Sequence, residues 1–260
     1  MTDIVNAFLS SSYIFFLVLA RMSGLFIASP IFGRRNIPAY FKVGFAFFLS
    51  MIVFTAYNFT YSIPDNVVEY VFVVIKEFII GLLIGYISYM IFSAILLAGQ
   101  IIDNAIGFGM ANVVDPMSEV QVPLLGNFLY LYMLVVFFGT DAHHLLIRAI
   151  FYSYKLVPIG YGGFKTEFAW SFLRFFSELF LIGVELSLPI LMSMLIVDII
   201  LAVLSRAVPQ MNVFMVGLPV KIAIGFLVLV IILPFMNKMV FVLIDKISVY
   251  TFEFLRGGIK

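Results

Sequence analysis

The sequence predicts an all-α, polytopic membrane protein, and three observations carry that class. Of its 260 residues, 64% are hydrophobic and only 11% charged, where a soluble domain has roughly half and a quarter. Its mean hydropathy of +1.17 exceeds what a buried soluble core absorbs, so the chain belongs in or beside a bilayer. Its apolar residues also fall into long uninterrupted runs. A membrane barrel needs strands of about ten alternating residues, so helices are left as the way to satisfy the backbone in hydrocarbon.

Composition excludes several functions. A net charge of +1 is too small for nucleic-acid binding or a polybasic lipid anchor. With no cysteine there is no disulfide framework, thiolate metal site or redox pair. The opening MTDIVNAFLSSS has an acid and no basic stretch before its first apolar run, so it does not read as a secretory signal peptide.

Six helical segments are expected. The first, about Phe8 to Ile31, carries Arg21 in its middle; the second, Val43 to Tyr57, is free of charge. A third runs from Val67 to Gln100 with Lys76 and Glu77 inside it. As one helix it would be about 50 Å long, against about 30 Å of hydrocarbon. Leu124 to Phe138 is the fourth. SYKLVPIGYGG, residues 153–163, then reads as a loop from its proline and glycines. The fifth and sixth, Phe168 to Ser205 and Val213 to Ile244, are interrupted by Pro189, Pro219 and Pro234, which should kink them.

Charge gives no consistent topology. Arg34, Arg35 and Lys42 place the first connection in the cytoplasm by the positive-inside rule. Alternation then brings the acidic loop with Asp103, Asp115 and Glu119 to that same side and sends the basic tail to the other. Either a segment is re-entrant, or an assembly overrides ordinary topology.

No catalytic set is apparent. His143 and His144 are adjacent, which points them about 100° apart on a helix, and no helix-spaced acid or further His completes a metal set. They read as interfacial residues at a helix end, or less readily as a pH sensor. No serine sits in a GxSxG elbow, and the Gly107-x-Gly109 pair lacks the third glycine of a nucleotide loop. Neither a metal nor a cofactor is expected.

Charges inside apolar helices carry more information, because an ionised group facing lipid costs at least about 2.5 kcal/mol. Arg174, Glu178 and Glu185 fall within an arc of about 40° on a helix. Asp198, Arg206 and Lys221 continue the pattern. Three readings stay open for them: snorkelling with internal pairs, pairing with other subunits, and an ion or proton pathway. Gly81 and Gly85 form a GxxxG that lets another helix approach closely.

The stretch GFGMANVVDPMSEVQVP, residues 107–123, is the least ordinary part of the chain. Gly107 and Gly109 allow backbone angles closed to other residues, while Pro116 and Pro123 fix its far end. Phe108, Met110, Val113, Val114 and Met117 give it an apolar, adaptable surface. It reads either as a loop packing reversibly against a channel wall or as one dipping into lipid headgroups.

Three motifs add a resemblance. RMSGLFIASPIFGRRNIP (21–38), AGQIIDNAIGFGMANVVDP (98–116) and SRAVPQMNVFMVGLPVKI (205–222) resemble, in order and spacing, the FliR family of flagellar biosynthetic proteins, which are related to T-type export-gate subunits of virulence secretion systems. The resemblance covers essentially the whole chain. It implies a non-enzymatic subunit of a protein-export gate in the bacterial inner membrane, at the flagellar basal body. Its partners would be several copies of FliP and FliQ, then FlhB and FlhA, with unfolded export substrates passing through and membrane lipid around it.

The same resemblance implies hairpins lifted partly out of the bilayer plane, in a helical complex around a pore. Residues 1–205 would be a FliP-like portion containing a plug loop at 106–123, and 206–260 a FliQ-like portion. Gly107, Phe108, Gly109, Met110, Asp115, Pro116 and Met117 would close the pore, with Asp103 anchoring the base of the plug. Arg21, Asp103, Arg174, Glu178, Glu185, Asp198, Arg206 and Lys221 would be charges at subunit interfaces, and Pro209, Gln210 and Asn212 a hairpin turn. The rival classes are a virulence-system counterpart, an ion- or proton-coupled transporter, for which no internal repeat is visible, and an intramembrane enzyme, which lacks a catalytic set.

Overall fold

A computed structural model of the chain describes residues 2–34, 37–57, 59, 61, 64, 66–108, 123–161, 166–210 and 212–258. Among these residues the fold is all-helical. The helices are α1 (Thr2–Ala28), α2 (Ala39–Ala56), α3 (Val67–Ile106), α4 (Leu124–Gly139), α5 (His143–Leu156), α6 (Thr166–Ala207) and α7 (Val213–Glu253), followed by a π turn at Phe254–Gly258.

One expectation needs correcting. The stretch SYKL, expected in a loop, forms the last turn of α5, and the chain leaves the helix at Val157. Leu146, Ala149, Ile150, Ser153 and Tyr154 are its buried positions, so a period of three and four residues carries the helix through the polar letters. Pro189 lies inside α6, and Pro219 and Pro234 inside α7, and both helices continue past them. One proline removes a single backbone bond, and neighbouring helices in an apolar setting tolerate that loss.

Five helices are long and apolar enough to cross a membrane among the described residues, while α4 and α5 pass that test only as a broken pair. Asp141, with a φ of 55°, turns the chain between them, a left-handed conformation that aspartate adopts more readily than most residues. α3, α6 and α7 have 40, 42 and 41 residues, about 60 Å each. That is twice the hydrocarbon thickness.

The chain divides into two compact units. Unit 1 comprises residues 1–90, 141–175 and 246–260. Leu17, Met22 and Leu25 of α1, Val53 of α2 and Ile80 and Ile84 of α3 are buried together in its core. The GxxxG reading holds here. A Cβ on Gly81 would overlap the backbone oxygen of Arg21, and one on Gly85 would lie 2.7 Å from that of Leu25. α1 therefore crosses α3 backbone to backbone, which only residues without a side chain permit.

That crossing encloses Arg21, fully buried. Its Nε donates to Glu77 Oε2 at 2.6 Å, Nη1 to Ser153 Oγ at 3.0 Å and Nη2 to the Val157 carbonyl at 3.0 Å. Its guanidinium carbon lies 4.2 Å from the centre of the Tyr154 ring. The other carboxylate oxygen of Glu77 accepts the Gly160 N–H at 3.0 Å. One charged pair thus joins α1, α3, α5 and the turn after α5, with both charges hydrogen-bonded as a buried pair requires. Arg21, expected at a subunit interface, is enclosed by its own chain.

Unit 2 comprises residues 91–140 and 176–245. Phe92 of α3 meets Phe137 of α4 edge-on, with ring centres 5.6 Å apart. Further along, a Cβ on Gly99 would overlap the Cα of Gly126, so α3 and α4 also touch through glycine. Gly183 of α6 packs on α3 in the same manner, its missing Cβ 2.9 Å from the Ala94 oxygen.

Candidate functional site

The site begins where α3 ends. The Gly107 N–H donates to the Asp103 carbonyl at 3.1 Å, and Gly107 takes a φ of +103°, which suits glycine and sends the chain out of the helix. Phe108 follows, half-buried, its ring edge-on to Phe226 of α7 with centres 6.1 Å apart. Gly109, Met110, Asp115, Pro116 and Met117, the remaining residues expected in a plug, lie outside the described residues.

At the other end the chain re-enters a helix at Leu124. α4 has Pro123 at its N-cap and no side-chain cap of its own. Its first amides instead meet Asp103. The Leu125 N–H reaches both carboxylate oxygens, at 3.0 and 3.1 Å, and the Gly126 N–H reaches Oδ2 at 3.3 Å. Asp103 is 5% exposed, and a negative charge opposite a helix N-terminus is favourable. One residue, Asp103, thus holds both ends of the 107–123 stretch, its carbonyl at the Gly107 end and its carboxylate at the start of α4.

The clasp rests on α7. A Cβ on Gly225 would come within 2.5 Å of Ile106 Cδ1, and one on Gly107 within 3.0 Å of Leu218 Cδ1. Leu218, Gly225 and Phe226, with Gly99 and Gly126, do not stand out in the sequence. A signal for the clasp is present in PLLGN (123–127), a helix start without Ser, Thr, Asp or Asn at its cap, whose amides need an acceptor from elsewhere.

The other expected site residues divide into groups. Asp198 of α6 and Lys221 of α7 form an ion pair, half exposed on the aspartate side. Arg174 and Glu185 are exposed and Glu178 half-buried on α6, and Arg206 is exposed at its end. Pro209, Gln210 and Asn212 occupy the exposed turn between α6 and α7, where Asn212 Oδ1 accepts the Met215 N–H at 3.3 Å and caps α7. His143 and His144 do not diverge as expected. Their ring centres are 4.2 Å apart, and with Asp141 they bring three ligand-type atoms within 4.8 Å of one another. The reversal at Asp141 supplies the acid that helical spacing alone does not.

The chain is 37% identical to the flagellar biosynthetic protein FliR of Bacillus subtilis over 94% of its length and 93% of that protein. It is 32% identical to FliR of Aquifex aeolicus over 82% of its length and 83% of that protein. It is also 29% identical to the Yop proteins translocation protein T of Yersinia pestis, over 89% of its length and 92% of that protein. The profile described as Bacterial export proteins, family 1 matches residues 12–247, and the chain belongs to that family.

Proposed function

We propose that this chain is a subunit of a flagellar type III protein-export gate in the bacterial inner membrane. In this reading it assembles with FliP and FliQ around a pore, with FlhB and FlhA beside it, and the 107–123 loop closes the pore between export events. The single observation that carries the reading is the Asp103 clasp. It brings the exit at Gly107 and the re-entry at Leu125 to one point, so the apolar insert stands on a fixed stem. A connector joining two helices has no need of that.

The chemistry follows from the task. A pore wide enough for an unfolded polypeptide would leak ions when idle, and a narrow apolar constriction prevents this by excluding water. Phe108, Met110 and Met117 supply apolar bulk, and the glycines are pivots for an order-to-disorder opening. Residues 1–205 are read as the FliP-like part and 206–260 as the FliQ-like part. The flagellar assignment is favoured over a virulence system by the greater identity to FliR of Bacillus subtilis than to the Yersinia protein.

The test is deletion of residues 107–116 in cells assembling the complete gate. A plug predicts raised ion leakage with the complex still assembled; unchanged leakage in an assembled gate refutes it.

A further inference from the structure

The gate reading leaves His143 and His144, the only histidines in the chain, without a task. They occupy the first turn of α5, directly after the reversal at Asp141. Neighbours on a helix point about 100° apart, yet these two rings converge, with centres 4.2 Å apart and planes tilted by 42°. Burial does not force that arrangement, because Asp141 and His144 are exposed. Asp141 holds its place through the backbone: its φ is 55°, and its carbonyl accepts the His144 N–H at 3.0 Å. Acid and imidazole are thereby fixed on one short turn.

The donor set has the make-up of a transition-metal site. One ligand atom from each of Asp141, His143 and His144 lies within 4.8 Å of the other two. Around Zn2+, with bonds of ~2.0–2.2 Å, tetrahedral donors stand about 3.3 Å apart. Closing the set therefore needs side-chain rotations of about 1.5 Å at most, and no movement of the backbone. Two of the three side chains are available for it. Among the described residues, neither the Asp141 carboxylate nor the His144 imidazole is held by a hydrogen bond or an ion pair.

Ligand chemistry chooses the ion. Mg2+ and Ca2+ take oxygen ligands, whereas two imidazoles with one carboxylate suit Zn2+ and its first-row neighbours. Zn2+ has no geometric preference of its own from d-electrons, which suits donors that still have to close in. We infer that Asp141, His143 and His144 bind one Zn2+ ion at the start of α5, with water in the fourth position. The bound ion ties the acid of the turn to the first turn of the helix. The site shares no residue with the Asp103 clasp, so it stands or falls separately from the gate assignment.

The test uses the full-length chain, purified in detergent without a polyhistidine tag, stripped of metal and isotopically labelled at its histidine nitrogens. Titration with zinc chloride at fixed neutral pH should saturate at one ion per chain. It should shift a ring-nitrogen resonance of both histidines and raise the unfolding temperature. His144→Ala and Asp141→Asn should each weaken binding at least about tenfold, since loss of even an outer-shell partner costs that much. Asparagine tolerates the left-handed turn, so that variant keeps the backbone of the site. Glu167→Gln, at an exposed acid on α6, should bind as the unaltered chain does, and excess Mg2+ should not displace the zinc. No saturable binding, a shift at one histidine only, or undiminished binding in His144→Ala or Asp141→Asn overturns the inference. So does loss of binding in Glu167→Gln or displacement by Mg2+, because scattered carboxylates then hold the ion.

Discussion

Asp103 and Leu125 stand 22 positions apart, yet the amide of one lies 3.0 Å from the carboxylate of the other. The chain that runs into and out of the insert proposed to close the pore passes beside that contact. Asp103→Ala removes the acceptor and leaves two buried amides at the start of α4 unsatisfied, at a cost of about 1–3 kcal/mol. The chain has no cysteine, so Met117→Cys gives a single labelling site. Maleimide labelling at that site should be faster in the Asp103→Ala background and close to normal with Asp103→Asn, which retains an acceptor oxygen.

Arg21 and Glu77 make the second prediction. Arg21→Ala leaves the Glu77 carboxylate buried without its counter-charge, and such losses cost about 3–5 kcal/mol. Arg21→Lys should restore little, since an ammonium cannot reproduce a planar fork directed at Glu77, Ser153 and Val157. The paired change Arg21→Met with Glu77→Leu should recover much of the loss, because no lone charge remains. Thermal unfolding of the four chains in detergent ranks them.

Glycines at helix crossings give a graded series. Gly81→Ala directs a methyl group at the Arg21 backbone, and Gly99→Ala directs one at the Gly126 backbone. Neither neighbour can yield as the end of a side chain would, so both variants should accumulate poorly and unfold at lower temperature. Gly44, inside α2, has nothing within 4 Å of the point where an alanine methyl would sit, and Gly44→Ala should gain about 0.5–1 kcal/mol through helix propensity.

The Asp198–Lys221 pair should matter least. Its side chains are 55% and 21% exposed, and pairs of that kind contribute about 0–1 kcal/mol. Asp198→Asn should shift the unfolding temperature by no more than about a degree or two, and swapping the charges with Asp198→Lys and Lys221→Asp should leave it unchanged.

Helical class and most helix limits are legible in the sequence because apolar runs in lipid have few alternatives. The departures share a cause. Local propensity makes SYKL a loop, whereas tertiary contacts of Ser153 and Tyr154 hold it in α5. Asp103 enters as an anchor through the family resemblance, but its partners do not, because capping from another helix leaves no local pattern. Gly81 and Gly85 announce themselves as a motif; Gly99 and Gly126, which meet across two helices, have no such spacing. Arg21 and Glu77 are visible as charges in greasy segments, but not as each other's partners.

The lengths of α3, α6 and α7 carry a cost for the cell that makes this chain. An oily rod twice as long as the membrane is thick cannot be solvated by lipid alone, so a copy synthesised without neighbours leaves greasy flank in contact with water or folded against itself. The amount of the protein that accumulates should therefore follow the supply of whatever covers that flank.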